Sequence, residues 1–162
     1  GWKTVDALRE WSGDALPAVI LGTKQNEVRL VQARGSLQER WSRNVGGEVN
    51  DIRHGDFNGD GATEILVGTD GFQFYSLNAD GTVRFRRTLD DRVLKVGGWM
   101  RGGEARYLAA ADHGLLYELT GAGEIGKTVR FAHPIVGIPV GDGGTRPWVI
   151  LQNGEVYVSR GY

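Results

Sequence analysis

Cysteine is absent from all 162 residues. That excludes disulfides, thiolate metal sites and a cysteine nucleophile, and leaves the redox compartment open. No stretch approaches the roughly eighteen consecutive apolar residues that cross a bilayer. Lysine and arginine (19) balance aspartate and glutamate (20) without any basic tract, so no electrostatic footprint for nucleic acid is present. The serines Ser12, Ser36, Ser42, Ser76 and Ser159 lack a Gly-x-Ser-x-Gly elbow. His54, His113 and His133 show neither the i, i+4 pairing nor the neighbouring ligands of a zinc site. No signal peptide is visible, and the chain opens at Gly1-Trp2-Lys3 as a processed product or an excerpt does.

Glycine, by contrast, is plentiful at 26 residues. Together with many short β-branched and aromatic runs, it predicts an all-β chain with tight turns. Four runs align: Ala18 to Thr23, Glu64 to Thr69, Tyr107 to Asp112 and Trp148 to Asn153, with starts 46, 43 and 41 residues apart. Each is followed by a polar turn and a second strand, at Val28–Val31, Phe72–Tyr75, Leu115–Glu118 and Val156–Val158. A third strand follows around Trp41, Phe85 and Val129, and another precedes each run, at Val5–Leu8, Val49–Arg53, Val93–Val96 and Ile135–Val140. Four strands in about 40–46 residues make one blade of a β-propeller. A β-sandwich also has frequent turns but would not repeat at this period. The repeats fall at about 1–45, 46–89, 90–131 and 132–162 within a single domain or segment. The last lacks a fourth strand. Either Gly1 to Thr4 supplies it and closes a ring of four, or the four blades belong to a larger propeller or are completed by another chain. Exposed strand edges would be an aggregation hazard, which favours the larger ring.

Within the second repeat, Asp56, Asn58 and Asp60 place oxygen-bearing side chains on alternate positions, Gly61 makes a turn, and Glu64 follows four residues after Asp60. Hard cations such as Ca²⁺ take six to eight oxygens from flexible loops, and this spacing supplies most of them. The predicted ligands are Asp56, Asn58, Asp60, the Ala62 carbonyl and Glu64. An EF-hand needs a bidentate glutamate at loop position twelve, where Val67 stands, so the loop is not an EF-hand. The plainer alternative is an Asn-Gly/Asp-Gly turn with solvated charges. The other repeats lack such a set. Glu10-x-Ser12-x-Asp14 keeps weak register, Trp99, Arg101 and Gly103 replace the acids in the third repeat, and Asp142 stands alone in the fourth. One metal per chain is expected.

Inner-strand ends line a propeller mouth, which makes Arg53 and His54 candidate ligand contacts. Trp11 and Trp99 sit at comparable ends, where aromatic faces suit carbohydrate stacking, with Arg9, Arg101 or Glu104 as hydrogen-bonding neighbours. The competing assignment for both tryptophans is packing between blades. Trp41 and Trp148 read as core, and Asp90-Asp91 as a solvated turn.

The pattern Asp56-x-Asn58-x-Asp60-Gly61-x-x-Glu64-Ile65 followed by Val67-Gly68-Thr69 resembles the FG-GAP/VCBS-type repeat of integrin α-subunit propellers and secreted bacterial propellers. The resemblance is specific in the second repeat only, and Glu64 stands where aspartate is usual. It implies a calcium loop joining a blade's innermost strand to its second strand. Tyr75 to Val83 is similar to the hairpin of quinoprotein-type propeller repeats. In both families the blade is a scaffold and function sits in loops at the ring faces. The resulting expectation is a calcium-stabilised, non-catalytic propeller module of a secreted protein, periplasmic export included, that binds or scaffolds, with glycan as the leading partner. Extracellular calcium modules bind at about 10⁻⁴–10⁻³ M, so such a metal itself implies export. Two alternatives stay open on analogy: a propeller-containing polysaccharide lyase or hydrolase, and a protein–protein adhesion adaptor.

Overall fold

Short apolar runs separated by turns pair in sequence order into four antiparallel sheets. The computed structural model describes residues 2–8, 18–139 and 147–158, with backbone alone for 2–8, 33 and 34. Arg9, Glu10, Trp11, Ser12, Asp14 and Asp142 lie outside the described residues. Blade 1 is β1 (Trp2–Leu8), β2 (Ala18–Thr23), β3 (Glu27–Arg34) and β4 (Ser36–Asn44). Blade 2 is β5 (Val49–Gly55), β6 (Glu64–Thr69), β7 (Gln73–Asn78) and β8 (Val83–Thr88). Blade 3 is β9 (Val93–Arg101), β10 (Glu104–Ala111), β11 (Leu115–Thr120) and β12 (Ile125–Arg130), with a 3₁₀ turn at Asp112–Gly114. Blade 4 shows three strands, β13 (Ile135–Gly137), β14 (Trp148–Leu151) and β15 (Val156–Val158).

The innermost strands β1, β5 and β9 stand side by side, and β9 also meets β13, so the blades follow one another in chain order. Period-2 alternation sends neighbouring side chains of one strand into two different interfaces. In β6, Ile65 and Val67 join Ile20, Val28, Leu30 and Tyr75 between blades 1 and 2. Leu66 points the other way, to Phe74, Tyr107 and Ala109 between blades 2 and 3. That is why Glu64–Thr69 is buried at every position and reads as a continuous apolar run. A third cluster, with Trp99, Leu108, Ile135 and Val149, lies between blades 3 and 4.

Two of these interfaces share one device. Trp41 of β4 and Phe85 of β8 occupy the same register, opposite Leu30 and Ser76. Each ring lies against the turn glycine of the next blade, so that a Cβ on Gly81 would stand 2.7 Å from the Trp41 ring and one on Gly123 2.3 Å from the Phe85 ring. Only glycine permits that approach. Two residues on, Arg43 Nε donates to the Gly81 carbonyl at 2.9 Å and Arg87 Nε to the Gly123 carbonyl at 2.6 Å. The Trp41 indole N–H donates to the Ala79 carbonyl at 3.0 Å.

Two sequence readings need correction. Trp2 pairs with Thr23 and Thr4 with Gly22 inside blade 1, so Trp2 to Thr4 do not provide an outer strand for blade 4. Trp148 is 49% exposed rather than core. Val149 and Leu151 take the face of β14 that packs on blade 3, and alternation turns Trp148 to the opposite face.

Candidate metal centre

The loop between β5 and β6 is built from side chains that bond their own backbone. Asp56 Oδ1 accepts the Gly59 N–H at 2.6 Å and Oδ2 the Gly61 N–H at 2.9 Å. Asn58 Oδ1 accepts the Asp60 N–H at 2.9 Å while its Nδ2 donates to Asp60 Oδ2 at 2.7 Å. Asp60 Oδ1 accepts the Ala62 N–H at 2.8 Å. The bonds of Asn58 and Asp60 are successive Asx turns, and with the longer reach of Asp56 they hold three oxygen-bearing side chains on one small loop. The Ala62 N–H, followed by the Asn58 side chain, holds the Asp60 carboxyl below the usual carboxylate range.

Glu64 is different. It is 1% exposed, with Oε2 accepting the Phe57 N–H at 2.8 Å and Oε1 bonded to the Arg84 guanidinium. Burial raises its carboxyl above the usual range, with a smaller push from Asp60 and Asp56, against the Phe57 N–H and Arg84. Phe57 wedges the loop against blade 3. A Cβ on Gly98 would stand 2.8 Å from its ring, which meets Tyr107 edge-on at 6.5 Å between centroids. The loop is thus tied at both ends to the interface between blades 2 and 3.

Oxygens of Asp56, Asp60 and Glu64 all lie within 4.8 Å of one another. A cation with oxygen ligands at about 2.3–2.6 Å spans such a set, and the donors are all hard, so the residues fit a calcium-type ion. Three carboxylates face one guanidinium, which leaves the loop an excess of negative charge. Blade 3 makes the same connection with only Gly102-Gly103, both at positive φ (58° and 84°), the conformation of a type I′ hairpin turn. It has no room for a loop, and β9 runs on to Arg101 past its predicted end at Val96.

Arg53, half-exposed, lies two residues before the end of β5 with Nε 3.9 Å from Asp51 Oδ2, and His54 is half-buried beside it, paired with Ile65. Trp99 is 5% exposed, in the third apolar cluster. Arg101 ends β9 with Nη1 3.7 Å from Glu118. Sequence reasoning missed Arg84. It sits twenty residues from Glu64, and only the fold of β8 onto β7 brings the two together.

No family model matches the chain, and no curated protein matches its sequence. Solved structures do match. BBS1N, determined in complex with ARL6DN, is 16% identical with a TM-score of 0.68, over 98% of this chain and 51% of its own. Sqt1 of Saccharomyces cerevisiae is 16% identical at 0.72, over 87% and 44%, and BamB of Moraxella catarrhalis 14% identical at 0.63, over 98% and 47%. These likenesses define the fold: four consecutive blades of a β-propeller. The chain spans about half the length of the structures it matches.

Proposed function

We propose that these blades form a calcium-stabilised, non-catalytic β-propeller module of the FG-GAP/VCBS type, exported from the cell and part of a larger ring. The observation that carries the reading is the Asp56–Asp60–Glu64 cluster on a loop pinned between two blades. Asp56, Asn58, Asp60 and Glu64 would hold the ion, with the Ala62 carbonyl as a further donor. Bound there, the ion would neutralise the acids and stiffen the connection between β5 and β6, with no chemistry of its own. Ligands would be met by loops at the ring face, where Arg53 and His54 lie near the end of β5 and Arg101 ends β9, and glycan is the ligand class proposed. A second reading, a protein-binding adaptor, draws on BBS1N, whose structure holds a protein partner.

Melting curves in about 10 mM calcium and in excess chelator test the metal. At a dissociation constant of about 10⁻⁴–10⁻³ M the ion adds about 1–3 kcal/mol, a rise of about 3–10 °C. Asp60→Asn should remove most of that rise. Equal melting in both buffers would reduce the loop to a plain turn.

A further inference from the structure

In each blade the turn from the second strand to the third passes through a residue in the left-handed region: Asn26 (φ 65°), Phe72 (63°), Gly114 (73°) and Gly154 (89°). In blades 1 to 3 the carbonyl of that residue accepts an N–H from the segment leaving the blade, Val45 on Asn26 at 2.8 Å, Leu89 on Phe72 at 2.8 Å and Phe131 on Gly114 at 2.9 Å. The positions are therefore equivalent, and three of the four hold a residue that takes this backbone readily. A bulky aromatic does not, because its Cβ crowds the following carbonyl. Burial does not offset the strain at Phe72, which is 44% exposed and joins none of the three apolar clusters. An exposed aromatic held in a strained turn that asparagine or glycine would serve points to a contact made outside the chain.

Charge identifies the partner. Phe72 lies past the end of β6 away from the metal loop, and its bond to Leu89 sets it beside the crossing into blade 3. Residues 70–72, 89–92 and 112–114 at this end carry Asp70, Asp90, Asp91 and Asp112 against one arginine, Arg92. Arg92 bonds Asp112, while Asp70 accepts the Asn50 amide at 2.6 Å and Asp90 the Tyr117 hydroxyl at 3.1 Å, neutral donors that leave both charges in place. Asp112 first, then Asp70 and Asp91, raise the pKa of the Arg92 guanidinium, so these acids share one surface. The negative charge is local, since β8 of the same blade holds Arg84, Arg86 and Arg87 and no acid. We propose that this end of blades 2 and 3 docks a lysine- or arginine-bearing segment of a partner protein, with a cation over the Phe72 ring and the acids around it. The surface lies at the opposite end of β6 from the metal loop and does not depend on calcium.

The test is a titration of the whole chain, in calcium, with an Arg-Gly repeat peptide, followed by NMR. Saturable amide shifts at residues 70–73 and 89–92 that weaken as salt rises are expected. Absence of saturation up to millimolar peptide, or shifts confined to the metal loop, would overturn the surface. Phe72→Asn places the residue of blade 1 at this turn, so it should melt no lower than native protein. It should bind the peptide about two- to fivefold more weakly, the worth of an exposed cation–π contact. Unchanged affinity would overturn the role given to Phe72, and a melting temperature lower by more than about 4 °C would mean that the ring serves packing instead. The same peptide with glutamine for arginine, and a neutral cello-oligosaccharide, should both fail to bind, and binding of either as tightly as the arginine peptide would overturn the cationic partner.

Discussion

Blades 2 and 3 pair their outer strands in the same register, yet β8 and β12 carry different side chains at two matching positions. In the first, Phe85 fills the space, stacks on Phe74 and covers Gly123, while Arg87 ties the outer strand to that turn. In the second, Lys127 and Val129 take those positions, and Lys127 is exposed. Because β8 and β12 pair with their neighbours in the same register, the difference teaches that an outer strand forms without the aromatic and arginine that tie it to the next blade. The candidate metal loop lies at the interface that Phe85 closes, where Phe57 and Glu64 anchor it.

The largest effect should come from breaking the closed side. Phe85→Ala removes a half-buried ring, and truncations of buried phenylalanine cost about 3–5 kcal/mol, so about 3 kcal/mol is expected here. For a chain of this length that is about 6–12 °C in melting temperature. Lys127→Ala, at the matching position of blade 3, should change stability by less than about 0.5 kcal/mol. Comparable losses in the two variants would mean that the two outer strands do not differ in the way argued.

Next comes Arg84→Met. Removing one partner of a buried pair leaves the other charge unpaired, which costs about 3–5 kcal/mol when both are fully buried. The Arg84 side chain is a quarter exposed, so about 2 kcal/mol is expected in chelator. A cation between Asp56, Asp60 and Glu64 would supply the missing charge, so the loss should shrink in calcium. An equal loss in both buffers would separate Arg84 from the metal site.

Much of this was legible in sequence because it is local. The blades follow from runs spaced 46, 43 and 41 residues apart, and the loop from donors and acceptors that satisfy one another within nine residues, Asp56 to Glu64. What was missed depends on which segment lands beside which. Arg84 reaches Glu64 only through the pairing of β8 with β7, and the exposure of Trp148 depends on what covers the far face of blade 4. Thr4 looked free to serve another blade until β1 was seen to pair with β2. The change in the outer strand did leave a signal: Trp41-x-Arg43 and Phe85-x-Arg87 have Lys127-x-Val129 as their counterpart. Recognising it requires the strand register, which periodicity leaves uncertain by a residue or two.

The smallest effect concerns the chain segments that cross from blade to blade. Entering blade 3, Asp91 Oδ2 lies 2.8 Å from His113 Nδ1, Asp90 accepts the Tyr117 hydroxyl at 3.1 Å, and Arg92 bonds Asp112. Entering blade 4, Ala132-His133-Pro134 carries no acid. The bond to His113, ahead of the Arg92 N–H and the nearby charges, holds the Asp91 carboxyl below the usual range. A depressed carboxyl contributes stability that is complete above its unfolded value, about 3.9, and is lost as pH falls through the lower folded value. The His113 side chain is 75% exposed, so screening keeps the contribution below about 1 kcal/mol. Melting native protein and Asp91→Asn between pH 6 and pH 2 should therefore show a small native advantage that is constant down to about pH 4 and disappears below it. A native advantage that persists at pH 2 would mean that Asp91 stabilises the crossing by packing rather than by charge, and the acid sensitivity assigned to this interface would have to come from the metal loop instead.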